Sequence, residues 1–249
     1  MLYFHKAPIF NKSADDLLKL CLERIKEAKY TSFIATPNPE MYVEAVHNKA
    51  FRSVLQNTSF NIIDGVGLYL GLRLFGFKVQ RLTGTDLVES LLTNSRASFY
   101  LLGGAKGNAK LIQEKFPKAK IIGHFDGAVN AKSTQKILTQ INELKPQVVL
   151  VALGAVKQEK WIIDNLTDLQ GSKLLLACGG ALDYLSNKVT RAPRFLRNLG
   201  LEWLYRLLRQ PKRIVRILKA VVVFPIVFFL VELVCFLYRI IQTVYTKCK

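Results

Sequence analysis

Asp64 closes a short apolar run, SFNIID, and Gly65 follows it. A carboxylate placed there, with a glycine leaving room beside it, suits a general base that takes a proton from an attacking hydroxyl. Asp is also a favoured helix N-cap and a helical pattern follows, so a capping role is the alternative. Other polar positions lie where apolar runs end. Thr36 and Asn38 follow TSFIA and either bind substrate hydroxyls or turn the chain ahead of Pro37 and Pro39. Gly103 and Gly104 form a glycine-rich strand-to-helix turn whose backbone N–H groups either approach a diphosphate or merely tighten the turn. Gln158 opens a helical pattern, and its amide can donate to and accept from a sugar. Asp183, after a Gly-Gly pair, can accept hydrogen bonds from a ligand or cap a helix.

A second chemistry is carried by arginines. Ten basic residues lie between Lys188 and Lys219, with Glu202 the single acid among them. Arginine pairs bidentately with phosphate, so Arg191, Arg194, Arg206, Arg209, Arg213 and Arg216 are candidates for diphosphate contacts, and Arg213 and Arg216, three apart, share a helix face. A purely electrostatic membrane anchor is the other reading. No Asp-x-Asp spacing occurs anywhere to hold a divalent cation on a diphosphate, so no metal is expected, and the basic segment can offset a diphosphate's charge instead.

Elements that place these residues are legible as alternation. The runs 31–35, 59–64, 98–103, 119–123, 147–153 and 173–178 are short, continuous and apolar, as buried parallel strands should be. Between them, helical patterns cover 39–56, 66–76, 84–96, 106–116, 131–144 and 157–168. Strand-helix alternation predicts an α/β fold: an open, mostly parallel, Rossmann-like sheet with helices on both faces. In such sheets the ligand sits beyond the carboxyl ends of the strands, where the polar residues and glycines named above gather.

After Asp183 the pattern changes. Leu199, Trp203, Leu204, Leu207 and Leu208 fall at helical spacing, and Pro211 starts a further helix. From Ala220 to Tyr238 the only charged residue is Glu232. About 20 residues span a bilayer core, so this segment is barely long enough, and Pro225 and Glu232 make a re-entrant or surface-lying helix an equal alternative to a single pass. The expected organisation is an α/β domain over 1–195, a basic helical appendage over 196–219 and an apolar membrane-associating tail over 220–249.

Composition bounds the partners. The chain of 249 residues is half apolar and carries a formal charge of +18, which calls for an anionic partner. No zinc-finger, RRM or KH signature points to nucleic acid. The basic run abuts an apolar one, which favours an anionic membrane surface. Cys21, Cys178, Cys235 and Cys248 show no paired or metal spacing, nor do His5, His47 and His124. The start, MLYFHKAPIF, has no long apolar stretch of a secretory signal, so the α/β part is expected to be cytoplasmic. Trp161 and Trp203 read as packing residues.

Seven stretches in order, ATPNPEM (35–41), DGVGL (64–68), RLTGTDL (81–87), FYLLGGAKG (99–107), ALGAVKQEKW (152–161), GGALDYLSNKVTRAP (179–193) and LEWLYRLLRQPKR (201–213), resemble the WecG/TagA/CpsF family of bacterial glycosyltransferases. The resemblance covers about residues 30–216. It implies metal-free, inverting transfer of an N-acetylmannosamine-type sugar, or its uronic acid, from a UDP donor to N-acetylglucosamine on a polyprenyl diphosphate, on the cytoplasmic face of a bacterial membrane, with no cofactor. A homo-oligomer is an open possibility. It implies that Asp64 is the base, that Arg81 lies near the reacting sugar and that Asp183 engages the uridine part. The sequence departs from the pattern at Val156, where a proline is usual, and at Asn187, where glycine is usual; Asn tolerates the left-handed conformation, so that turn should survive. The apolar tail after Lys219 is the largest departure.

Overall fold

A computed structural model describes residues 7–169 and 171–247, with side chains of the last helix described through Cys235. His5 and Cys248, and the side chains beyond Cys235 in the expected apolar segment, lie outside what is described. Six strands form one parallel sheet: β1 (Ser32–Ala35), β2 (Phe60–Asn61), β3 (Ser98–Gly103), β4 (Lys120–Phe125), β5 (Val148–Ala152) and β6 (Leu174–Ala177), in the order β2-β1-β6-β5-β3-β4.

The strands are apolar along their length because both faces are covered. Phe33, Ala35, Tyr100, Val149, Val151 and Leu175 point into one core, over which lie α2 (Pro39–His47), α3 (Lys49–Gln56), α4 (Val66–Leu74), α7 (Ala131–Leu144) and α8 (Lys157–Asp164). Their neighbours Ile34, Phe99, Leu101, Val148, Leu150 and Leu174 point into the other, under α1 (Ala14–Glu27), α5 (Gly84–Asn94), α6 (Asn108–Lys115) and α9 (Ala181–Leu185). The period of two along each strand sorts side chains between the two layers.

Three details depart from the expected elements. The 59–64 strand shrinks to two paired residues, because at Asn61 the amide side chain turns to the carbonyls of Pro8 and Leu55 and the hydroxyl of Thr58. Residues 8–10 then close that sheet edge through Asn61 N–H to Pro8 C=O at 2.7 Å and Phe10 N–H to Asn61 C=O at 2.9 Å. The expected 39–56 helix breaks at Asn48, whose N–H ends α2 on the Glu44 carbonyl while its side chain accepts from the Phe51 N–H and starts α3. Helix α1 was not anticipated, although Ser13 and Asp16 form a reciprocal capping box.

Beyond α9 come α10 (Arg194–Asn198), α11 (Glu202–Arg209), a 3₁₀ turn at Pro211–Arg213, α12 (Ile214–Leu218), π turns at Lys219–Val223 and α13 (Phe224–Lys247). The π turns fall just ahead of Pro225, which cannot donate to the carbonyl four residues back. Pro211–Cys235 is long and apolar enough to cross a membrane, and most of it is exposed. Its second half, the start of α13, is nonetheless docked. Phe224 and Phe228 are buried in the same core as α2 and α4, packed on Tyr42 and Phe75 with ring centroids 5.1–5.6 Å apart. Glycines on α4 make the seat: a Cβ at Gly71 would stand 3.0 Å from the Phe228 ring. Glu232, one more turn along this stripe, is buried and accepts from the Tyr42 hydroxyl at 3.4 Å. The charge that counted against a simple span thus faces protein.

Candidate active site

The carboxyl ends of β1 and β2, the start of α4 and the α10–α11 segment enclose a cavity of about 230 Å³. Asp64 lies in its wall, half-buried, with Oδ1 accepting from the Gly65 N–H at 2.7 Å. Gly65 has φ +83°, and a Cβ there would approach Pro39 Cδ to 3.1 Å, so glycine is required to turn the chain into α4. Asp64 does not cap this helix. Its carboxyl is pushed up to about 6, first by burial and then by the anion of Glu202; Arg206 and the N–H groups of Gly65 and Gly84 oppose the shift.

Four arginines line the same cavity. Arg81 donates to the Arg197 carbonyl at 2.8 Å, which ties the strand end to α10. Arg191 is paired with Asp86 at 2.6 Å, Asp86 being fixed in turn by the Thr83 hydroxyl at 2.6 Å, and Arg197 approaches the same carboxylate at 3.6 Å. Arg206 pairs with Glu202 at 2.8 Å and stacks over the Tyr184 ring at 4.7 Å. The buried Nε donors of Arg191, Arg197 and Arg206 find no acceptor among the described residues. A cavity whose walls hold that many oriented, incompletely matched donors suits an anion with several oxygens. Gly200, φ +76°, closes the segment onto α4: a Cβ there would fall 2.6 Å from a Val66 methyl.

Other expected site residues take different places. Asn38 lines the cavity, but its side chain accepts from the Met41 N–H at 3.0 Å and caps α2. Thr36 is buried and donates to the Ala177 carbonyl at 3.0 Å, bracing β1 against the end of β6. Gln158 is buried with both ends of its amide engaged, Oε1 by the Gly179 N–H at 3.0 Å and Nε2 by Glu159 at 2.7 Å. Asp183 accepts from the Ala105 N–H at 2.8 Å and from Asn108 at 2.7 Å, and so holds the glycine turn after β3. In that turn a Cβ at Gly103 would stand 2.6 Å from the Ala152 carbonyl. Gly104 lines a second cavity of about 660 Å³, at the β3–β5 boundary, with Lys157, Lys160 and Trp161.

Four arginines of the basic segment, Arg194, Arg209, Arg213 and Arg216, lie outside the first cavity, and Arg194 is exposed. Arg209 is exposed over the Tyr205 ring, Arg216 grips Glu40 at 2.8 and 3.0 Å, and Arg213 is half-buried. Burial, then Arg206 and Arg216, push the Arg213 guanidinium down. Sequence reasoning missed Asp86, Arg197 and Glu202 as parts of the site, and it read Trp203 as packing, whereas Trp203 lines the first cavity. The Thr83-x-x-Asp86 spacing was an available signal for Asp86. Among the described residues, no cluster of His, Cys, Asp and Glu has the arrangement of a metal site.

A family model described as glycosyl transferase WecG/TagA/CpsF family matches residues 2–239. The chain belongs to this family. The match runs through most of the apolar tail, so the tail is less of a departure from the WecG/TagA/CpsF pattern than the sequence motifs suggest. A relative from Bacillus subtilis (strain 168), named N-acetylglucosaminyldiphosphoundecaprenol N-acetyl-beta-D-mannosaminyltransferase, is 32% identical over 222 residues, covering 86% of each chain. A relative of the same name from Bacillus spizizenii is 36% identical over 192 residues, covering 73% of each chain.

Proposed function

We propose that this chain moves an N-acetylmannosamine-type sugar from a UDP donor to N-acetylglucosamine carried on a polyprenyl diphosphate, with inversion, at the cytoplasmic face of the membrane. The observation that carries the reading is that Asp64 shares a cavity with Arg81, Arg191, Arg197 and Arg206 at the carboxyl edge of the sheet, where the other two carboxylates, Asp86 and Glu202, are paired with arginines. In the step, the acceptor hydroxyl oxygen attacks the anomeric carbon, the bond to the UDP β-phosphate oxygen breaks, and Asp64 receives the hydroxyl proton. The arginines offset the charge that develops on the departing diphosphate. Arg213 lies close enough to Arg206 and Asp183 to share that task, Arg216 is held by Glu40, and the exposed Arg209 is available to anionic headgroups. The second cavity, reached through the Gly103–Gly104 turn that Asp183 holds, takes the uridine end of the donor. Thr36, Asn38 and Gln158 keep the strand ends in register for both substrates.

UDP release by the full chain in detergent, with a lipid-diphosphate-linked N-acetylglucosamine acceptor and a panel of UDP-sugars, with and without EDTA, tests this. Acceptor-dependent release from an N-acetylmannosamine-type donor is expected, unaffected by EDTA. Asp64→Asn should lower it on the order of 10²- to 10⁴-fold. Release that is independent of acceptor, or equal in Asp64→Asn, would refute the reading.

A further inference from the structure

Helix α4 begins at the catalytic cavity and ends in leucines that nothing covers. Val66, its first residue, lines the cavity with Asp64, whereas Leu70 and Leu74 are 56% and 68% exposed. The helix sorts its residues by angle. Leu68 and Leu72 face the core, and Gly67, Gly71 and Phe75 face α13. At about 100° per residue, Leu74 projects roughly 20° and Leu70 roughly 60° from Gly67, on the side away from Leu68. The two leucines therefore continue the outer surface of α13, where Ile226, Phe229, Leu230 and Leu233 are 48–60% exposed and Phe229 touches Phe75. Arg73, in the last turn of α4, and Lys78 just after it are exposed, and no acid occurs between Asp64 and Asp86. An apolar face continuous with the one membrane-length helix among the described residues, rimmed by cations only, matches acyl chains beneath anionic headgroups.

We propose that α4 is a second membrane-contacting element: its Leu70–Leu74 face enters an anionic phospholipid bilayer beside α13, with Arg73 and Lys78 at the headgroups. This rests on the lipid-linked transfer proposed above and adds to it a path for the acceptor. The eight steps from Val66 to Leu74 rise ~12 Å, so a diphosphate at the amino end of α4 and a polyprenyl chain along its outer face are one short helix apart.

Leu74→Trp and Leu230→Trp in the full chain, mixed with phosphatidylglycerol vesicles carrying brominated acyl chains, report immersion at each position against the background of Trp161 and Trp203. Both are expected to be quenched several-fold more than the parent. Arg73→Gln with Lys78→Gln should weaken vesicle binding about ten- to thirty-fold on anionic vesicles and leave binding to phosphatidylcholine unchanged. Quenching at Leu230→Trp without quenching at Leu74→Trp would overturn the proposal and leave the tail's membrane contact standing. Concentration-dependent shielding of Leu74→Trp without vesicles would overturn it in favour of a second copy of the chain. Quenching at neither position would overturn it together with the membrane part of the function, while UDP release judges the transfer chemistry separately.

Discussion

Asp64 titrates near 6 because burial and Glu202 both disfavour its anion. In the proposed role of base Asp64 must be ionised, so transfer should rise with pH through about 6, and this acid limb is a property of the residue's surroundings. Glu202→Gln removes one opposing charge and frees Arg206 from its partner, and both changes favour the Asp64 anion. A pH profile of kcat/KM should show the acid limb displaced to lower pH in that variant. The same shift sets a stability cost. An unfolded Asp titrates near ~3.9, so the stability that protonated Asp64 contributes is present below that value and lost as pH rises through about 6. Asp64→Asn escapes the loss, and thermal unfolding at pH 8 should give it a higher Tm than the parent while its transfer is slowed on the order of 10²- to 10⁴-fold.

Val156 makes a second point at this scale. Its φ is +72°, in a region that a β-branched residue rarely occupies, at the turn between β5 and α8. Proline, the usual residue there by resemblance to the family, is fixed near φ ~−65° and could not adopt this turn. Asn187, at φ +59°, replaces glycine with the side chain best able to tolerate that conformation. Val156→Gly should relieve strain of ~1–3 kcal/mol, less the entropy that glycine loses on folding, and so raise Tm by a few degrees in thermal unfolding.

Among elements, the docking of α13 on α4 depends on a stripe four residues apart. Phe228 is buried and Phe229 is half-exposed. Phe228→Ala should destabilise the protein by ~3–5 kcal/mol, whereas Phe229→Ala should cost under ~1 kcal/mol, as read from thermal unfolding in detergent. Little of this was legible in the sequence. The strands were, because continuous apolar runs admit few other placements, and so was the sheet edge where Asp64 and the glycines collect. The break of α2 from α3 was not, because Asn48 serves both helices at once. Nor was the face of α13 that carries Phe224, Phe228 and Glu232, because a uniformly apolar segment shows no periodicity until its partner helix is known. Pro225 and Glu232 looked like defects of a membrane span, yet the first follows π turns and the second meets Tyr42. The arginines were legible as a charged group but not individually, since Arg191 and Arg216 are held by Asp86 and Glu40, far away in the chain.

For the molecule as a whole, the basic segment and the first half of the tail work as part of the α/β body. Glu202, Trp203 and Arg206 wall the cavity, and Phe224 and Phe228 complete the core. A chain stopped after Gln210 should therefore lose more than its membrane contact. It exposes the rings of Tyr42 and Phe75 and the glycine face of α4, so a lower Tm and aggregation on purification are expected, with differential scanning fluorimetry as the measurement.

The seat of Phe228 on α4 also orders events during synthesis. All six strands and the helices that cover them leave the ribosome before Phe224 and Phe228 do. Until then one face of the sheet lacks two of its largest aromatic rings, and α4 waits with its glycines open. The segment that closes this gap is the same one that is apolar enough for a bilayer. A chain on the ribosome that has not yet released Phe224 and Phe228 therefore presents an unfinished core, and on the proposed membrane role completion of that core would coincide with arrival at the lipid surface.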